Sequence, residues 1–236
     1  MQVSLTIIRY PKIYIPVAFL AMAIFRLPLF LNKNISFFKL MGSGKNGTFD
    51  KTPDLQQWAI LSVQHESGEL QNIDEGTILS GELNKKLYGF FISKWFTLFK
   101  CKSITFLLEP IESHGVWDGK KVFGELPAKS DYEGQIAILT RATIRINKLK
   151  FFWQNVAPVA DKMRNAKGFV QSFGIGEIPW IKQATFSIWQ SKADMKAFAY
   201  GLKEHQEVIQ KTRQQQWYSE DMFTRFKILK TVGTLR

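Results

Sequence analysis

The sequence predicts an α+β fold: two ferredoxin-like β-α-β-β-α-β halves, packed together as an α/β barrel within one chain. Three observations carry that prediction. Residues 37–64 and 168–190 form a partial internal repeat, in which an apolar run enters Gly-x-Gly (Gly42 and Gly44; Gly174 and Gly176), followed by a connector, a Gln and a strand-like stretch. Each copy follows a β-rich run and a helical stretch, and each precedes another helical stretch and a closing strand. A four-stranded unit of this kind has one bare sheet face, and packing two such faces together is the economical way to bury both.

The elements follow in order. VSLTIIRY (3–10) is rich in β-branched residues and opens the first half as a strand. The nearly all-apolar stretch 14–31 reads as a helix, the first repeat copy supplies two strands, and 68–99 reads as a helix with interruptions. SITFLLEPI (103–111) closes the half. The polar, turn-rich segment 112–133 is the connector, so a single domain spanning 1–236 divides into halves at about 1–115 and 134–236. In the second half the strand is GQIAILTRATIRI (134–146) and the first helix covers about 148–164. After the second repeat copy come a helix over 191–216, broken near Gly201, and the strand DMFTRFKIL (221–229).

Composition narrows the function classes. With 236 residues, 45% of them apolar and including 20 Phe and 7 Trp, the chain can bury a substantial core without staples. Cys101 is the one cysteine, which excludes an intramolecular disulfide and any cysteine-rich zinc or iron–sulfur site and suits a reducing cytoplasm. Redox chemistry then needs a bound cofactor. The net charge of +12 points to an anionic partner. The basic residues are scattered and no nucleic-acid motif is present, which argues against nucleic acid and leaves a membrane surface. Residues 14–31 are interrupted by Arg26 and Pro28, which weakens a bilayer span, and no small-x-small site follows to mark a signal peptide. The expectation is a helix buried in the fold or touching a membrane, in a cytoplasmic protein peripheral to the inner membrane face.

Candidate site residues come from strand and helix periodicity. In LTRATIRI (139–146), alternation places Leu139, Arg141, Thr143 and Arg145 on one face, and Thr140, Ala142, Ile144 and Ile146 on the other, which suits covering by helices. Guanidinium groups facing inward need anions. Arg225, in the last strand, is a third candidate. The anions are cofactor carboxylates or, alternatively, Glu177, Glu220 or Asp221, unless the arginines are simply exposed. The glycine pairs lead into strands rather than helices, so they read as bends or close approaches, not as a nucleotide loop. His65 and His114 lack metal-ligand spacing, and Cys101 has no histidine near it in sequence. In GLKEHQEVIQK (201–211), His205 lies over Val208 and Ile209 on the apolar side of a helix, as a core histidine or as an axial ligand.

The motifs LTRATIR, FGIGEIPWIKQATFSIW, MKAFAYGLKEHQEVI and WYSEDMFTRFKIL, in that order over about 134–231, resemble the spheroidene monooxygenase family of carotenoid-modifying enzymes. KLMGSG and WAIL in the first half add to the likeness. The resemblance implies an enzyme on a dimeric-type α/β barrel: a haem-dependent monooxygenase hydroxylating a carotenoid or similar apolar substrate, with a possible second round to a ketone. It carries axial ligation of haem b iron to His205 and places the family's Trp and Arg at Trp217 and Arg225. Phe186 or Trp217 would line the haem slot, and Arg141, Arg145 or Arg225 would meet its propionates. The electron donor is not named by the sequence. The alternatives are a haem dehydratase or peroxidase-like enzyme, or a non-catalytic carrier of haem or an apolar ligand.

Overall fold

The computed structural model describes residues 1–45, 50–65, 79–201, 210–212 and 214–235, apart from the side chains of 156–161. In chain order these form β1 (Gln2–Arg9), α1 (Ile15–Ile24), α2 (Arg26–Leu31), β2 (Ile35–Gly44), β3 (Pro53–Gln64), α3 (Ser80–Leu98) and β4 (Lys102–Gly115). There follow β5 (Ile136–Ile144), α4 (Leu149–Arg164), β6 (Phe169–Ile178), β7 (Lys182–Trp189), α5 (Lys192–Gly201) and β8 (Tyr218–Thr234). The eight strands close into an antiparallel barrel in the order β1-β3-β2-β6-β7-β5-β8-β4. The first four therefore run β4-β1-β3-β2 and the last four β8-β5-β7-β6, one permutation used twice.

Contacts divide the chain into two compact units, one of Met1–Gly42, Asp54–Glu109 and Ile228–Arg236, the other of Ser43–Pro53 and Pro110–Lys227. In the first unit β1 is central, with Leu5 opposite Leu61 of β3 and Phe106 of β4. Strand alternation sends Val3, Leu5 and Ile7 to one face and Ser4, Thr6 and Ile8 to the other, and all six are fully buried. On the second face Ile8 joins Tyr10, Ala18, Ala21, Phe25, Leu29 and Leu87 in a cluster under the helices. Beside it runs a buried chain of hydroxyls: Ser4 with Ser62 at 2.8 Å, Tyr88 with Thr6 at 2.7 Å, and Thr6 with Thr105 at 2.8 Å. Burial pushes the Tyr88 phenol up to about 12, so it stays protonated and bonded.

The 14–31 stretch is helical, as expected, but in two pieces. Pro16 sits in the first turn of α1, where a missing N–H costs nothing. Pro28 cannot donate to the carbonyl of Ile24 and its ring crowds that turn, so the helix restarts at Arg26. The interrupted helix expected over 68–99 is α3, which begins at Ser80, while 66–78 lie outside the described residues. Its interruption is Gly89, whose φ of 84° and ψ of 172° leave the helical region altogether.

In the second unit β5 is central between β7 and β8. Ile136 and Ile138 pack on Met163 of α4 and on Met195 and Phe198 of α5, while Ile144 packs on Phe152, Trp153 and Trp217. This is the helix-covered face that the alternation of 139–146 predicted. Two strands are longer than expected: β4 runs on to Gly115 and β8 covers Tyr218–Thr234. The extra residues continue to find partners, with Ser113 and Thr224 hydroxyls 2.8 Å apart and the Val116 N–H donating to Asp221 O at 3.0 Å. Gly115 is needed there: its φ is +81°, and a Cβ would collide with the Asp221 carbonyl. At the second Gly-x-Gly, a Cβ on Gly176 would lie 2.8 Å from Lys182 O beside a bulge, in keeping with a close-approach role. Ser43, between the first pair of glycines, donates to Gly174 O of the second at 2.9 Å.

Candidate functional site

Arg141 is a fully buried cation in the second unit, at 1% exposure on the face of β5 turned away from the helices. Its strand neighbours on that face are Ala184 and Met222, with Leu139 and Phe186 one step along. Burying a guanidinium without partners is expensive, and the fold supplies three carboxylates. Nη1 donates to Glu220, and Nη2 lies 3.4 Å from Glu177 and 3.5 Å from Asp118. The guanidinium sits 5.5 Å over the Trp117 ring, whose Nε1 donates to Glu177 at 2.9 Å. Glu220 also accepts from the backbone N–H groups of Asp118 and Gly119, at 3.0 and 2.7 Å. Burial by itself would raise the Glu220 carboxyl, but those two N–H donors and Arg141 outweigh it and hold it below the ordinary carboxylate range. Lys182 reaches Asp118 at 2.8 Å and completes the cluster. The turn at 117–120 is thus clamped onto the end of the sheet by a charged, hydrogen-bonded node.

The other two arginines do not join it. Arg225 is opposite Ile138, on the helix-covered face, and pairs with Glu112 while stacking 4.9 Å over Phe223. Glu112 is 3% exposed and also takes Lys192 Nζ at 2.5 Å and the Ser130 N–H at 2.9 Å. Its burial is again overridden by these donors, so its carboxyl is held below the ordinary value. Arg145 is exposed beyond a register shift at Thr143/Ile144, and its Nε donates to Tyr218 O at 3.2 Å. Trp217 is buried under α4 with its Nε1 on Gln215, at 2.9 Å. Phe186 lies on the Arg141 face, opposite both Leu139 and Phe173. His205 lies outside the described residues.

Sequence reasoning foresaw Glu177 and Glu220 as protein partners for Arg141 and missed Asp118, Trp117 and Glu112, all within a segment read only as a connector. Asp221 serves through its backbone carbonyl. His65 and His114 are exposed, the latter stacked on Phe223 at 5.2 Å. Cys101 is half-buried and burial pushes its thiol up to about 12, which makes it a poor nucleophile at neutral pH. Among the described residues no group of three His, Cys, Asp or Glu side chains is placed to hold a metal ion. An open-sided pocket lined by Ser113, His114, Phe123, Leu126 and Met222 lies beside the clamped turn. The residues expected to hold haem propionates therefore form no common cradle: Arg141 and Arg225 are paired with protein carboxylates on opposite faces of the sheet, and Arg145 is at the surface.

Comparison with known proteins gives a consistent picture. No family model matches the chain. Three curated relatives bear the name spheroidene monooxygenase. That of Cereibacter sphaeroides is 34% identical over 84% of this chain and 57% of its own length. That of Rhodobacter capsulatus is 29% identical over 90% and 83%, and that of Rubrivivax gelatinosus 41% over 52% and 46%. The chain thus spans little more than half the length of the first of them. Among solved structures, two of aldoxime dehydratase superpose with TM-scores of 0.60 and 0.59 at 9% identity, covering 96% of this chain and 80% and 79% of theirs. At that identity the likeness is one of fold.

Proposed function

We propose that the chain belongs to the spheroidene monooxygenase family and is an oxygenase inserting oxygen into a carotenoid or a similarly long apolar polyene. The observation that carries the reading is the sequence match, which runs through both halves and covers 84% and 90% of the chain in two relatives. The shared strand permutation supports reading each half as a ferredoxin-like unit. The helix-free face of β5 through β8 supports an apolar substrate, since Leu139, Phe173, Phe186, Ile188 and Phe226 all lie on it. The charged node at Arg141 holds the 117–120 turn at one end of that face. In this reading it is a positioning device, fixing the backbone that borders the pocket at Met222 and His114.

Haem dependence is part of the proposal and rests on the family resemblance, which places an axial histidine at His205, because the described residues supply no propionate cradle. Bound haem iron would supply dioxygen activation, and the chain would supply positioning and exclusion of water. The test is pigment analysis of carotenoid-producing cells expressing the protein, together with an absorption spectrum of the purified, haem-supplemented chain and its His205→Ala variant. A new hydroxy- or keto-carotenoid with a Soret band lost in the variant is the expected result. Haem binding without pigment change moves the function to a dehydratase, a peroxidase-like enzyme or a carrier. A new pigment from a protein without a Soret band removes haem and keeps the oxygenase.

A further inference from the structure

The helices of the first unit leave an apolar surface uncovered. Residues 15–24 of α1 contain no polar side chain at all, yet only Ala18 and Ala21 are buried among them. A helix apolar on all sides is normally enclosed on all sides, by protein or by lipid. Here the far side is open, with Phe19 50%, Leu20 53%, Leu27 64% and Phe30 77% exposed. The surface continues onto α3, where Phe90 is 63% exposed and Phe91 47%, the latter packed edge-on against Phe25 at the α1/α2 junction. Gly89 is what turns the chain there: Tyr88 before it is buried in the hydroxyl chain, and Phe90 after it faces outward.

The charge around this surface has one sign. Residues 12–33 and 79–102 carry eight lysines and arginines, all exposed, and a single acid, Glu82. An apolar centre with a basic surround matches the interfacial zone of an anionic bilayer, where apolar side chains enter the acyl boundary and lysines meet headgroups. A second copy of this chain is disfavoured by the same fact, since two such faces would bring like charges together. Three further details agree with lipid over a protein partner. The exposed side chains are mostly Phe and Leu, Arg26 sits between them at a length suited to snorkelling, and Lys94 lies 5.4 Å over the exposed Phe90 ring.

We propose that α1, α2 and the C-terminal part of α3 form a bilayer-docking surface that inserts Phe19, Leu27, Phe30 and Phe90 into the headgroup–acyl boundary of an anionic membrane. The helices lie in the interface and do not cross it: Ala18, Ala21, Phe25 and Leu29 are all 0% exposed in the core of the unit, so Lys12–Leu31, among the described residues the one helical stretch long and apolar enough to span, is pinned along one side. This surface is independent of the activity proposed above, and its binding is read without substrate or turnover.

The test is flotation of the full chain with vesicles of phosphatidylcholine containing phosphatidylglycerol, and with phosphatidylcholine alone, at low and high salt. The expected result is flotation with the anionic vesicles, weakened by salt. The triple variant Leu27→Ser, Phe30→Ser, Phe90→Ser should lose vesicle binding about tenfold or more. All three sites are exposed, so circular dichroism and the thermal midpoint should match wild type. Failure of the wild type to float with anionic vesicles overturns the proposal, as does wild-type flotation of the triple variant. A concentration-dependent dimer, abolished by the triple variant in a chain that ignores vesicles, would assign the surface to a second copy instead.

Discussion

Ile7 and Arg141 occupy the same place in the two halves. Each lies on the central strand, each faces an alanine on the neighbouring strand (Ala59 and Ala184), and each precedes a short 3-10 turn by five residues. Among the buried residues of the two central strands themselves, polarity is distributed in opposite ways. In the first, the helix-free face of β1 is wholly apolar and the polar groups, Ser4 and Thr6, are under the helices with Tyr88. In the second, the helix-covered face around β5 carries Ile136, Ile138 and Ile144, and the helix-free face carries Arg141 with Glu177 and Glu220. One scaffold thus tolerates buried polarity on either side of its sheet, provided the partners come with it. The difference teaches where specialisation lies: a neutral hydroxyl chain braces the first half, and a charged node in the second fixes a surface turn.

The comparison can be broken most sharply at Arg141. Arg141→Met makes the second half resemble the first but strands Glu220 and Glu177, and removal of one partner from a buried ion pair costs about 3–5 kcal/mol. Denaturant unfolding should show that loss, whereas Ile7→Met, changing one apolar side chain for another, should cost less than about 1.5 kcal/mol. Equal effects would mean that the charged node contributes no more than packing. A second test uses pH. Glu112 and Glu220 have folded pKa values held below the ordinary 4.5, so their contribution is fully present above that value and is lost as pH falls through the lower folded values. The wild type should lose stability below about pH 4.5, and Glu112→Gln should be less stable at neutral pH with a flatter acid limb. An unchanged acid limb in the variant would remove Glu112 from the account. The smallest effect is expected in the first half: Tyr88→Phe leaves Ser4 and Thr6 each short of a bond and should cost about 1–2 kcal/mol, with no pH dependence between 5 and 8, on the order expected for buried neutral hydrogen bonds.

How far the sequence discloses this arrangement depends on the range of the interaction. Strand and helix positions were legible because they rest on periodicity within a dozen residues, as in the apolar helix at 14–31 and the alternating strand at 139–146. The pairing of Arg141 with Glu177 and Glu220 was legible as an alternative, because a buried guanidinium requires carboxylates and few stand at strand ends nearby. Arg225 was not legible in the same way. Its face depends on the register of β8 against β5, which places it opposite Ile138, and nothing within 221–229 fixes that register. Arg145 fails for a local reason: the register shift at Thr143/Ile144 ends the alternation before it. Glu112 reads as one polar residue in a polar connector, and only the fold brings it to Lys192 and Arg225, across 80 and 113 positions.

Cys101 has a practical consequence of its own. As the one thiol in the chain, with burial raising it to about 12, it is almost entirely protonated under ordinary labelling conditions. Cys101 should therefore react slowly with maleimides and methanethiosulfonates, and a single cysteine introduced at an exposed position such as Phe30 should take a fluorophore or spin label in preference to it, which labelling of the wild type beside the variant checks. The chain is, in effect, already prepared for site-directed depth measurements.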